Sequence, residues 1–253
     1  RSINVEGTRR LLKALQLLEV EQFVYSGTML VHEPGKPGEP INEDQPIGPK
    51  WAYPISKAKA EAVIRAEHGR VPYVLLHLAG LYDDETAVPT LSNQIARIYE
   101  RDAQAHLYSG STATGQSMVH RDDMLDAFKR VIDRRAVIES GTVILIGEEE
   151  AVGYEELQDS IGQLIHGEQE WPTLRVPKPI AAPGAWAQDK LEAVVPDAND
   201  QGERPFIKPF MVRMAADHYE PDIARARQLL GWTPRRRLAT TLPKIVEALQ
   251  RNP

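Results

Sequence analysis

Two short apolar segments on either side of a helical one constrain the fold of this chain more than any other feature of its sequence. Gln22–Ser26 and Tyr73–Leu78 have the length and composition of buried strands, and the segment 51–67 between them has helical character. Consecutive strands joined by a helix are typical of a parallel sheet. This order predicts an α/β fold, and Thr142–Ile146 adds another buried strand to it.

Periodicity and cap residues predict the remaining elements. A helix carrying Tyr53 and Lys57 is expected over about Trp51–Glu67, with Pro54 tolerated in its first turn. Asp122 or Asp123 is expected to cap a helix that ends near Arg134. The other predicted segments are a short strand at Ala105–Tyr108 and helices at Val5–Val20, Leu91–Arg101, Tyr154–Ile165, Asp222–Leu230 and Leu238–Gln250.

Tyr53 and Lys57 form a Tyr-x-x-x-Lys pair whose side chains can take part in proton transfer. Residues four apart lie on one helix face, so the ammonium can lie close to the phenol oxygen. A unit charge about 4 Å away, at an effective dielectric of about 20, contributes roughly 4 kcal/mol, equivalent to a pKa change of about three. The pair therefore predicts a phenol that exchanges a proton near neutral pH. Thr28, after the first strand, offers a hydroxyl to hold a substrate oxygen.

Further motifs occur in a fixed order along the chain. They are Asn4-Val5-Glu6-Gly7-Thr8, Phe23-Val24-Tyr25-Ser26-Gly27-Thr28, Tyr53 to Lys57, His77-Leu78-Ala79-Gly80-Leu81-Tyr82, Val119-His120-Arg121-Asp122-Asp123 and Leu229-Leu230-Gly231-Trp232-Thr233-Pro234. The set resembles the extended branch of the short-chain dehydrogenase/reductase superfamily, the NAD-dependent epimerase/dehydratase family. His77 stands where that family usually has arginine, and Gly80 where it often has asparagine.

The resemblance implies NAD(P)-dependent oxidoreductase, epimerase or dehydratase chemistry on a hydroxyl-bearing small molecule, with a nucleotide sugar as a candidate. Tyr53 would exchange the hydroxyl proton while hydride passes to or from the nicotinamide. Lys57 would lower the pKa of Tyr53 and bind the nicotinamide ribose. Thr28, two places after Ser26, would orient the substrate oxygen.

The same resemblance implies the remaining cofactor contacts. Ser26 is expected beside the catalytic hydroxyls, and the main chain at Leu78 and Leu81 is expected to flank the nicotinamide. Helices matching Leu11–Leu18 and Tyr53–Lys59 often form the dimer interface in this family. A homodimer is therefore expected.

The expected architecture is part of a Rossmann-like doubly wound parallel sheet with a smaller lobe. Residues 1–147 are predicted to form the C-terminal half of an NAD(P)-binding domain, and residues 148–253 a substrate-binding lobe with C-terminal helices. No Gly-x-x-Gly-x-x-Gly turn occurs in the sequence. The chain is therefore expected to lack the N-terminal dinucleotide-binding part, and two readings stay open: an enzyme that uses NAD or NADP, or a non-catalytic binding or scaffolding module that binds neither.

Composition excludes several classes of function. A net charge of −6 argues against nucleic-acid and anionic-membrane partners, and zero cysteines exclude disulfides and thiolate nucleophiles. His120 with the two following aspartates is expected to be structural, so no metal site is predicted. A Ser-x-x-Lys pattern at Ser56 to Lys59 leaves a serine hydrolase as a remote alternative. A cytoplasmic location is expected.

Overall fold

The computed structural model of the chain describes residues 3–176 and 215–251. The strands in these residues are β1 (Phe23–Thr28), β2 (Tyr73–Leu78), β3 (Gly80–Tyr82), β4 (Leu107–Tyr108), β5 (Met118–His120), β6 (Thr142–Ile146) and β7 (Leu174–Arg175). The helices are α1 (Thr8–Leu15), α2 (Ala52–Glu67), α3 (Pro89–Tyr99), α4 (Arg121–Asp133), α5 (Tyr154–His166), α6 (Ala224–Leu230) and α7 (Leu238–Arg251). A π-helical turn precedes α1 (Ile3–Gly7), and 3-10 turns follow β1 (Met29–Val31) and α3 (Ala103–His106).

The predicted parallel sheet is confirmed. β1, β2 and β6 pair in parallel in the order β1-β2-β6. Thr28 lies opposite Leu78, and Leu78 lies opposite Ile146, so the carboxyl ends of the three strands share one edge. In α/β sheets this edge is where ligands bind.

Helix α2 connects β1 to β2 and covers part of the sheet. Ala60, Val63 and Ile64 supply its buried apolar face. Leu12 of α1 joins Val63, Ile64 and the sheet residue Leu75 in one apolar cluster. Glu61 is also buried in this helix, at 3% exposure, and a carboxylate at such a position requires compensating partners.

The start of helix α4 differs from its prediction. His120 is the N-cap residue, and its ring Nδ1 accepts a hydrogen bond from the Asp122 amide at 3.1 Å. Asp123 instead lies buried, where its Oδ2 accepts the amides of Arg235 and Arg236 at 2.9 and 2.8 Å. The prediction of an aspartate cap was wrong because the histidine ring supplies the same acceptor two to three residues earlier.

Helix α6 ends as predicted at Gly231. This glycine has φ 61°, the left-handed conformation that glycine adopts without a steric penalty. Trp232 follows it and is fully buried, with its indole N–H donating to the Asp123 carbonyl at 2.9 Å. This side chain joins the segment after α6 to helix α4 in the main apolar core.

The chain divides into two compact units. The first contains residues 1–81, 117–150 and 219–237, and it holds β1, β2, β6 and helices α1, α2, α4 and α6. The second contains residues 82–116, 151–218 and 238–253, with β4 paired to β7 and helices α3, α5 and α7. The predicted functional boundary between residues 147 and 148 stays a prediction, and the interleaved units show that the chain passes between them several times. Residues 177–214 of the predicted C-terminal lobe lie outside the described residues.

Hydrogen bonds and stacked rings stabilise the second unit internally. The Gln94 amide of α3 donates to Gln158 of α5 at 3.0 Å, and both residues are buried. Tyr108 stacks on Tyr154 with ring centroids 3.6 Å apart. Among the helices of residues 3–176 and 215–251, none has the length and apolar content needed to cross a membrane.

Candidate active site

Two of the predicted catalytic hydroxyls meet at the carboxyl end of β1. Thr28 ends this strand and is 5% exposed, and its side chain also accepts the Leu30 amide at 3.3 Å. Tyr53, in the first turn of α2, makes a side-chain hydrogen bond with Thr28. The strand end and the helix start thus place a hydroxyl pair at the ligand-binding edge of the sheet. Tyr53 as a whole is 48% exposed.

Lys57 lies one helical turn beyond Tyr53 and on the same side of α2. Its Nζ donates to the Ser26 carbonyl at 2.9 Å. The same nitrogen is 6.0 Å from the centroid of the Tyr53 ring and 5.1 Å from that of Tyr25. The main chain of β1 therefore holds the ammonium near the phenol ring.

The pKa of Tyr53 differs from the prediction, and the pKa of Lys57 is shifted as well. Burial raises the pKa of Tyr53, and the hydrogen bond with Thr28 only partly opposes this. Burial also lowers the pKa of Lys57, while the nearby Glu61 carboxylate acts to raise it. The expected lowering of the phenol pKa was wrong for this geometry, because the ammonium is directed at Ser26 and desolvation dominates.

The other predicted cofactor contacts lie near the same edge. Ser26 is exposed in β1, and Leu78 is half-buried at the end of β2. Leu81, in β3, is 39% exposed. β3 begins where the Gly80 amide donates to the Ser117 carbonyl at 3.2 Å. A role for Ser26, Leu78 and Leu81 in holding a nicotinamide stays a prediction.

The side chains on this face fit the nicotinamide end of a dinucleotide. An ammonium carries three N–H donors, and the bond to Ser26 uses one of them. The partly exposed phenol of Tyr53 and the buried hydroxyl of Thr28 lie in the adjoining positions. Lys57 and Tyr53 are therefore the residues that would hold the cofactor.

Sequence reasoning missed a buried group behind this site. Glu61 is hydrogen-bonded to His77 of β2, and His77 to His32 in the segment after β1. The one available signal was spacing, since Glu61 follows Lys57 by four residues as Lys57 follows Tyr53. Across residues 3–176 and 215–251, no three histidine or carboxylate side chains are grouped in a way that could hold a metal ion.

Comparison with known proteins decides the family. Residues 2–147, more than half of the chain, match the sequence model described as the NAD dependent epimerase/dehydratase family. The chain belongs to this family. The motifs at Thr28 and at Tyr53 to Lys57 lie inside the matched region.

Individual relatives agree with this family. The chain is 25% identical over 244 residues to the decarboxylating sterol-4-alpha-carboxylate 3-dehydrogenase of Saccharomyces cerevisiae, covering 92% of this chain and 67% of that protein. The UDP-glucuronic acid 4-epimerase of Bacillus cereus, solved with UDP-glucuronic acid and NAD, superposes with a TM-score of 0.70 at 16% identity. That superposition covers 98% of this chain and 67% of the epimerase.

A dehydratase shows the same fold. The dTDP-glucose 4,6-dehydratase of Bacillus anthracis, solved with NAD, superposes with a TM-score of 0.69 at 18% identity, over 98% of this chain and 68% of the dehydratase. The described residues therefore have the Rossmann-like α/β fold of this family. The chain spans about two thirds of the length of these three proteins.

Proposed function

We propose that this chain carries the substrate-facing part of an NAD(P)-dependent epimerase, dehydratase or dehydrogenase acting on a hydroxyl-bearing small molecule. The observation that carries this proposal is the Thr28–Tyr53 hydrogen bond with Lys57 alongside, at the carboxyl edge of a parallel sheet. A nucleotide sugar is the candidate substrate, because two structurally similar proteins are a UDP-glucuronic acid epimerase and a dTDP-glucose dehydratase.

In this proposal, Tyr53 moves the proton and Thr28 fixes the oxygen that receives or releases it. NAD(P), when bound, supplies or accepts hydride. Because its pKa is raised, Tyr53 is a neutral phenol at neutral pH and is ready to donate a proton to a substrate oxygen. In the opposite direction the phenolate accepts the proton, and this form becomes easier to reach when the Lys57 ammonium moves from the Ser26 carbonyl towards the phenol oxygen.

The assembly and location of the protein belong to the same proposal. We place it in the cytoplasm as a homodimer, with α1 and α2 as the interface. Leu11 of α1 is 47% exposed, and Leu18, just after this helix, is 57% exposed. Exposed apolar area along α1 supports association through this face.

The second candidate is a non-catalytic binding or scaffolding module. A glycine-rich turn normally holds the dinucleotide phosphates, so this alternative applies where no such turn accompanies residues 1–253. Under this alternative Tyr53 and Lys57 are present, but the protein catalyses no reaction.

Titration with NADH and NADPH separates the two candidates. We expect saturable binding by this polypeptide in the micromolar range, followed by nicotinamide fluorescence. Lys57→Ala is expected to weaken binding because it removes the ammonium beside the phenol. Lys129→Ala, which alters a lysine on α4 paired with Asp133, serves as the matched control and should bind as the unaltered chain does. Saturable binding by this polypeptide would rule out the module, and no saturable binding by a longer protein that carries this chain behind a glycine-rich turn would contradict the enzyme.

A further inference from the structure

Three buried ionisable side chains form a hydrogen-bonded chain behind the candidate site. His32 Nε2 lies 2.8 Å from His77 Nδ1, and His77 Nε2 lies 3.0 Å from Glu61 Oε2. The other ring nitrogen of His32, Nδ1, is 2.8 Å from the Gln45 carbonyl. All three side chains are at most 3% exposed. Water therefore contributes little to the solvation of these three side chains.

The donor and acceptor roles in this series of hydrogen bonds follow from the contact between His32 and the Gln45 carbonyl. A carbonyl oxygen only accepts, so His32 Nδ1 carries a hydrogen. Burial, followed by the neighbouring His77, lowers the pKa of His32 to about 4, so at neutral pH its Nε2 carries no hydrogen and accepts. His77 Nδ1 must then donate to it. The contact between His77 Nε2 and Glu61 Oε2 needs one further hydrogen between the two atoms.

Glu61 packs directly against the strand that bears Ser26 and Thr28. A Cβ atom added to Gly27 would lie 2.8 Å from Glu61 Oε1 and 3.0 Å from a carbon of the His77 ring. Glu61 Oε1 is buried and has no hydrogen-bond partner among the described residues. Only a residue without a side chain leaves room for the carboxylate here. Glu61 thus lies against the main chain between the Ser26 carbonyl and Thr28.

The charge of Glu61 acts on the groups around it. The carboxylate favours the charged form of Lys57, one helical turn earlier on α2, against the effect of burial. Arg65 also faces it from α2, with Nη2 3.8 Å from Oε2, and Tyr25 faces it from β1. His77 from β2 and His32 from the segment after β1 complete the ionisable groups packed around it.

We propose that Glu61 is a positioning residue for the Lys57 ammonium and that the His32–His77 pair anchors its carboxylate by supplying the proton donor it needs. This inference rests on the proposed role of Lys57. The carboxylate opposes the effect of burial on the pKa of Lys57 and so favours the ammonium form. Its packing against Gly27 holds the strand end that presents Thr28.

The first test reads the hydrogen positions in the unaltered chain. Nitrogen-15 NMR of the imidazole rings at neutral pH distinguishes a hydrogen on Nδ1 from one on Nε2. We expect His32 to carry its hydrogen on Nδ1 alone and His77 to carry hydrogens on both Nδ1 and Nε2. Finding His77 without a hydrogen on Nε2 would overturn the inference, because this nitrogen could not then donate to the Glu61 carboxylate. This test needs no variant and so does not depend on a substituted protein folding.

The second test follows the titration of Lys57. Carbon-13-labelled lysine reports the titration midpoint of each ammonium, and Lys57→Arg assigns the Lys57 resonance. We expect Glu61→Gln to move the Lys57 midpoint to lower pH, because it removes the charge and keeps the shape. Glu67→Gln is the matched control on the same helix, where Glu67 binds Arg9 at 2.8 Å, and it should leave the midpoint unchanged. An unchanged midpoint in Glu61→Gln would also overturn the inference.

Both tests are made without nucleotide or substrate. Absence of NADH binding would therefore contradict the proposed function without altering either NMR result. Conversely, NADH binding together with a Lys57 titration midpoint that is unchanged by Glu61→Gln would support the proposed function and contradict the positioning role of Glu61.

Discussion

Tyr53→Phe is expected to lower kcat/KM by roughly 10²- to 10⁴-fold, the range that a positioned general acid or base contributes. The substitution removes one oxygen and keeps the ring, so the packing at the start of α2 is preserved. Thr28 retains its bond to the Leu30 amide and loses only the phenol as a partner. The measurement is the rate of conversion of UDP-glucuronic acid, UDP-glucose and dTDP-glucose, the candidate substrates, followed by chromatography of substrate and product.

Tyr99→Phe provides the matched control for this loss. Tyr99 ends helix α3 in the second unit and is 44% exposed, so removing its hydroxyl should leave turnover unchanged. If Tyr53→Phe had the same kcat/KM as the unaltered protein, a role for Tyr53 in proton transfer would be contradicted, whatever the family.

Trp232→Ala is expected to destabilise the first unit by about 3–5 kcal/mol, the usual cost of truncating a fully buried aromatic side chain. Trp232 has no exposed surface and packs in the main core with residues of β6 and α4. Its loss also leaves the buried Asp123 carbonyl without the indole N–H that it accepts at 2.9 Å. Urea unfolding followed by far-ultraviolet circular dichroism measures the effect.

Trp232→Phe separates packing from hydrogen bonding in this experiment. Phenylalanine keeps most of the apolar volume and loses the indole donor, so we expect a smaller loss of about 1–3 kcal/mol. Equal losses in the two variants would show that the hydrogen bond dominates. A Trp232→Ala protein as stable as the unaltered chain would contradict the assignment of this residue to the core.

The sequence was informative wherever a feature depends on neighbouring residues. The apolar run at Tyr73–Leu78 predicted β2 because a buried strand needs a continuous apolar surface, and its bounds are confirmed. Helical spacing placed Tyr53 and Lys57 on one side of α2, and the glycine after Leu230 marked the end of α6. These signals are local, and tertiary packing did not override them.

Features that depend on tertiary contacts were not predictable. The direction of the Tyr53 pKa depends on how deeply the folded chain buries the phenol, and spacing along a helix carries no information about burial. The His32–His77 contact joins residues 45 positions apart. His77 was visible only as a departure from the family pattern, and its partners Glu61 and His32 became clear only from the folded arrangement.

The pH dependence of hydride transfer tests the central claim most directly. Substrate oxidation requires the deprotonated phenol, and the pKa of Tyr53 is raised, so the rate of NAD reduction should increase about tenfold per pH unit above neutrality. The reverse reaction uses the protonated phenol and should vary little over the same range. The dependence should disappear in Tyr53→Phe. A rate of NAD reduction that is independent of pH in the unaltered chain, or the same dependence in Tyr53→Phe, would contradict proton transfer by Tyr53.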